Sequence, residues 1–134
     1  FDKKHLIGDR ETNQVYEMCL DLYSDNGDPL VKKRITPHYA QENIRITHAQ
    51  FELDMEVGVG LVSGQGVDPQ IMMRYSDDKG NTWSSELWVS LGKIGEYFTR
   101  VKWNKLGRPR YRVYEISVSD PVFVQINAAY LNGV

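Results

Sequence analysis

The chain has 134 residues with 16 basic and 18 acidic side chains and a formal charge of −2, which suits one domain, or one domain with part of a neighbour. That balance lacks the basic excess of a general nucleic-acid binder. No apolar run approaches the ~20 residues of a membrane helix, nothing resembles a signal peptide, and Cys19, the single cysteine, excludes an intrachain disulfide.

The chain opens at Phe1 without a Met, inside a strand-rich stretch, as a fragment of a longer protein would. From Val15 to Tyr23, Tyr16, Met18, Leu20 and Leu22 share one face of a half-buried strand. Cys19 lies in it and reads as a small buried hydrophobe. Asn26-Gly27 is a strong hairpin signal. Leu30 to Thr36 is then the return strand, ended by Pro37. An isolated hairpin is marginal in water, so residues 1–36 must dock on the rest or close a neighbouring domain.

Ala49, Phe51, Leu53, Met55 and Val57 alternate with polar residues in the cleanest strand of the chain. Ile44 and Ile46 are out of phase with them, which predicts a bulge or bend near Thr47-His48. Gly58, Gly60, Gly64 and Gly66 predict a mobile surface loop. The Lys-Ser or Lys-Thr of a phosphate-cradling loop is absent.

Ser76-Asp77-Asp78-Lys79-Gly80-Asn81-Thr82-Trp83 fits the S-x-D-x-G-x-T-W pattern of an Asp box. Asp78 accepts bonds from the turn's own backbone, and Gly80 supplies a positive φ. Thr82 and Trp83 restart a strand whose indole anchors the hairpin in a core. Asp boxes are common in sialidases and other glycan-acting proteins, yet the pattern describes a hairpin staple and names no substrate. A propeller enzyme would also need repeats of roughly 40–50 residues, and none is found.

Beyond the box, Leu87 to Leu91 is a short strand, and Tyr97, Thr99, Val101 and Trp103 alternate in another. Tyr114, Ile116 and Val118 share a face, and Val122 to Tyr130 forms the last strand. Short strands separated by turn signals predict an all-β, antiparallel sandwich. Trp83, Trp88, Trp103, Tyr97, Tyr111 and Tyr114 are expected to be mostly core, with any exposed subset suited to a subunit interface.

Candidate chemistry is sparse. His5, His38 and His48 show no metal-ligand spacing and read as surface or capping residues, and Asp25, Asn26 and Asp28 lack the rest of a calcium loop. No catalytic, cofactor or metal site is expected. A sialidase-like centre would draw on Arg100, Arg108, Arg110, Arg112, Tyr111, Tyr114 and Glu115, but these crowd into one expected hairpin. If residues 97–103 and 110–118 pair, Arg100, Lys102, Lys105, Arg108, Arg110 and Arg112 share one charged face. That face either meets an acidic partner or balances Glu96, Glu115 and Asp120 as ordinary surface charge.

Several stretches, at 6–38, 51–60, 68–84 (DPQIMMRYSDDKGNTWS) and above all 90–122, together make the chain similar to the C-terminal part of one phage protein family. These are the packaged-DNA stabilisation proteins, or tail hub and tail accessory proteins, of short-tailed phages. Lys79 departs from the resemblance, since such proteins often carry a second glycine there. The resemblance implies a jelly-roll-like sandwich over 37–134, with 1–36 as a hairpin closing a preceding, propeller-like domain. It implies a ring of identical subunits below the portal and adaptor, beside the tail needle or tailspike, that holds packaged DNA in. It further implies a virion protein made in the bacterial cytoplasm, past which DNA moves without sequence-specific binding. The alternative from another class is a carbohydrate-binding sandwich recognising host-surface glycan.

Overall fold

The computed structural model describes residues 2–133. Phe1 and Val134, the outer ends of the two expected domains, lie outside the described residues. The described chain is all-β, and every strand pairing in it is antiparallel. Two small hairpins lead: β1 (His5–Gly8) with β2 (Val15–Met18), then β3 (Ser24–Asp25) with β4 (Asp28–Pro29). Asn26 and Gly27 form the second turn at φ 48° and 92°, the left-handed pair that a two-residue hairpin loop demands.

Two sheets then face each other. In the first, β5 (Lys32–Ile35), β11 (Tyr111–Val118), β8 (Gln70–Ser76) and β9 (Leu87–Ser90) lie in that order, and β6 (Tyr39–Ala40) also pairs with β11. In the second, β7 (Gln50–Met55) is flanked by β10 (Val101–Asn104) and β12 (Ile126–Leu131). The period-2 pattern of each strand sends one row inward. Phe51, Leu53, Met55, Ile71, Met73, Val101, Trp103, Tyr114, Ile116 and Val118 meet in one core. Burying a side chain of that size stabilises the fold by roughly 1.5–3 kcal/mol.

Several expectations fail in instructive ways. The return strand predicted at 30–36 does not pair with 15–23. Val15–Met18 pairs with His5–Gly8 instead, and Lys32–Ile35 pairs with β11. Strand β2 stops at Met18, which leaves Cys19 exposed rather than buried. The register shift occurs between Ile126 and Ala128, not at Thr47-His48. Residues 46–48 instead bond to the backbone of Gly107 and Pro109 at 2.8 and 3.0 Å. The strand expected from Tyr97 begins only at Val101, and the one expected from Thr82 begins only at Leu87. Strands β10 and β11 are not partners and lie in opposite sheets.

The indole that fills the core is Trp103, whose Nε1 donates to the Leu87 carbonyl at 3.1 Å and ties the two sheets together. Trp83 is only half-buried and lies under the Arg74 guanidinium, 4.9 Å from its ring centre. The glycine-rich segment is packed, not loose, apart from its exposed tip at 61–65. A Cβ on Gly60 would stand 2.7 Å from the Val67 carbonyl oxygen and 2.9 Å from the Ile94 nitrogen. Only glycine permits that approach.

Candidate functional site

The turn from Ser76 to Trp83 is stitched from within. Ser76 Oγ donates to Asp78 Oδ1 at 2.6 Å and accepts from the Gly80 N–H at 2.9 Å. The Thr82 N–H donates to Asp78 at 2.8 Å. Bonds from the Ser76 and Thr82 hydroxyls, with the Thr82 N–H, hold the Asp78 carboxyl down at about 2. Gly80 has the expected positive φ of 94°, and Lys79 before it sits at 64°, a conformation that favours glycine. Every hydrogen-bonding role assigned to Ser76, Asp78 and Thr82 here is local.

Asp77, which the pattern leaves as a free position, does something else. It reaches down to Arg112, whose side chain is 4% exposed. Nε and Nη2 of Arg112 donate to the two Asp77 oxygens at 2.6 Å each, and Nη1 donates to the Leu106 carbonyl. The guanidinium lies 4.0 Å from the Tyr75 ring centre and 5.9 Å from that of Tyr114. Tyr114 in turn shares a 2.6 Å hydrogen bond with His48 Nδ1 and stacks on Phe51 at 4.5 Å. Burial pushes the Tyr114 hydroxyl up to about 12. Burial first, and the Arg112 charge second, depress His48 below its ordinary value. His48 is therefore a buried member of a polar network, not the surface or capping residue its isolation in sequence suggested.

This geometry fixes a pH dependence. The unfolded chain takes up the His48 proton more readily than the folded one. The contribution of neutral His48 is thus complete above a pH of about 6.5 and is lost as pH falls through its depressed folded value. Thermal unfolding between pH 8 and pH 5 should show wild type losing stability more steeply than His48→Gln, by at most ~1.4 kcal/mol per pH unit. Parallel curves would remove His48 from the account.

The six cations expected on one face are dispersed. Arg100 forms a two-pronged pair with Glu52 at 2.8 Å, and Lys102 is half-buried on β10. Arg108 donates to the Arg45 carbonyl at 3.3 Å, Lys105 and Arg110 are exposed, and Arg112 is inside. The charged-face reading fails because β10 and β11 belong to different sheets. Tyr114 and Glu115 also point to opposite faces of β11. Glu115 pairs with Arg74 at 2.7 Å and Lys33 at 3.3 Å, far from the His48 side. Among the described residues no group of His, Cys, Asp or Glu is placed to hold a metal ion.

A different surface is assembled at one end of the sandwich. The 58–66 loop and the 92–99 turn lock together through Gly58 N to the Leu91 carbonyl (3.0 Å) and Gly95 N to the Gly58 carbonyl (3.2 Å). This frame carries Val62, Ile94, Tyr97 and Phe98 outward, and Phe98 is 100% exposed. Of the six clustered aromatics, only Trp103 and Tyr114 are in the core; Trp88 and Tyr97 are exposed. Phe98 escaped the sequence reading because it lies out of phase with Tyr97, Thr99 and Val101, on what looked like a strand's ordinary polar face.

Residues 32–133 match the model of the family described as Bacteriophage P22 Gp10, beta-sandwich. None of the curated proteins matches the chain.

Proposed function

The chain belongs to the Bacteriophage P22 Gp10 beta-sandwich family, and from that membership and the loop geometry we propose that it is a ring subunit closing the tail's DNA exit. Membership makes it a structural component of a phage tail, located in the virion and set among other tail components. The finer reading places the ring below the portal and adaptor, next to the tail needle or tailspike, with the protein made in the bacterial cytoplasm. Identical subunits meet head to tail, so that the contacts close on themselves, each burying roughly 1,200–2,000 Å². The work is steric plugging without bond-making. A net charge of −2 suits a conduit, because cationic contacts would add salt-dependent friction to passing DNA.

The observation that carries the ring reading is the apolar end. Val62, Ile94, Tyr97 and Phe98 stand in water on a loop frame braced by close glycine contacts. Large apolar groups held outward on a stiff support favour a protein interface. Phe98→Asp should leave monomer stability within about 0.5 kcal/mol while abolishing incorporation into tails. Incorporation at the wild-type level would reject this end as a contact. Exposed Tyr97 and Phe98 also suit stacking on a sugar ring, the basis of the carbohydrate-binding reading. A glycan array that retains the wild-type chain but not Phe98→Asp would favour that alternative.

A further inference from the structure

The sandwich is shut along one side and open along the other. Strands β9 and β10 are bridged by the Trp103 bond to Leu87. Strands β5 and β12 are each the last in their sheet, and between them runs a groove of about 520 Å³. Its floor includes Leu53, Ile116, Val118 and Val124. One wall is the bare edge of β5. Thr36 N donates to the Tyr114 carbonyl at 2.9 Å, so alternation directs the backbone groups of Lys32 and Arg34 toward β11 as well. The N–H and C=O groups of Lys33 and Ile35 therefore point away from the sheet, along an edge that no other strand covers among the described residues.

The charges on this edge are specific in place. Lys32 and Arg34 lie opposite Val118 and Ile116, which face the core, so their side chains share the groove side. The Lys32 ammonium donates to the Asp120 and Val122 carbonyls, at 3.3 and 3.2 Å, and lies 5.6 Å from the Tyr23 ring centre. Among the described residues the Arg34 side chain has no hydrogen-bond or ion-pair partner, whereas the Lys33 side chain, on the outer face, is held by Glu115. Inward cations on an edge deter pairing with neutral strands. They leave it open to a strand that brings carboxylates.

We propose that the β5 edge accepts an extended acidic segment of another tail subunit as an added strand, with carboxylates set against Lys32 and Arg34 and an apolar side chain over the groove floor. The backbone bonds go to Lys33 and Ile35, the charges fix register, and the floor supplies burial. The tail subunit as source rests on the proposed function; the groove's preference for an acidic strand does not.

The test uses the peptide acetyl-Ser-Leu-Thr-Glu-Val-Glu-Ser-amide, which places Leu and both Glu on one face of a strand, and amide hydrogen exchange followed by NMR. Saturating peptide should slow exchange at Lys33 and Ile35 by about tenfold or more and leave Arg34, already paired, unchanged. The same peptide with both Glu replaced by Lys should give no protection. Arg34→Glu, at a position whose side chain has no partner among the described residues and whose change should not unfold the chain, should weaken the acidic peptide by about tenfold, and Arg34→Gln by less. Absence of protection at Lys33 and Ile35, equal binding of the lysine peptide, or binding of a thymidylate oligonucleotide in place of the peptide would each overturn the inference. The assay does not depend on tail assembly, so its failure is separable from failure of the Phe98 experiment.

Discussion

Asp77→Ala is expected to destabilise the fold by about 3 kcal/mol, near the lower end for stranding a buried charge. A chain of this size would register that as a fall in Tm of roughly 10–15 °C. The reason is an asymmetry between the partners. Asp77 is 47% exposed and returns to water easily, while the Arg112 side chain is 4% exposed and cannot. Removing the carboxylate leaves a buried cation against Tyr75 and Tyr114, still bonded to the Leu106 carbonyl but without its counter-charge. Arg112→Met removes the same ion pair yet leaves no buried charge and keeps most of the volume, so it should cost less. Arg112→Lys is not conservative, because an ammonium cannot reproduce the two parallel bonds or the flat contact with Tyr75. Chemical denaturation of the three variants checks the order. If Arg112→Met proves costlier than Asp77→Ala, the pair is a surface contact and the buried-charge argument fails.

Trp103→Ala should be the most damaging single truncation in the chain, at about 3–5 kcal/mol. Total stabilities of small domains are about 5–15 kcal/mol, so little would remain. Trp103 is buried, sits 6.0 Å from Phe51 ring to ring, and bonds across to the Leu87 carbonyl. Its loss opens a cavity and unties the one closed side of the sandwich. Trp83→Ala should cost about 1 kcal/mol, the scale of a partly exposed cation–π contact with Arg74. Urea titrations of both variants would read the difference directly. An equal or reversed cost would restore Trp83 as the hairpin's anchor.

Why one indole was legible and the other misjudged follows from what periodicity encodes. Alternation names the face a side chain takes, and it placed Phe51, Leu53 and Met55 inside correctly. It does not name the neighbouring strand. β10 and β11 each alternate well and follow one another in sequence, yet the 105–109 connection carries the chain across to the other sheet. The expected hairpin between them, and the charged face built on it, failed for that reason. Arg112 was readable in principle, being in phase with Tyr114, Ile116 and Val118. A cation in that phase is either an error of register or a buried ion, and Asp77 makes it the second. His48 carried no comparable signal. Its burial depends on residues 46–48 docking against 107–109, a contact between segments some sixty residues apart. The all-β class and the 26–27 turn were local properties, and local chemistry sufficed for both.

The most direct measurement is nuclease protection of DNA in phage heads completed with either wild-type protein or Phe98→Asp. If the exposed apolar end builds the ring that closes the exit, heads finished with the variant leak nuclease-sensitive DNA while wild-type heads hold theirs. Heads that incorporate Phe98→Asp and retain DNA as well as wild type would contradict the account.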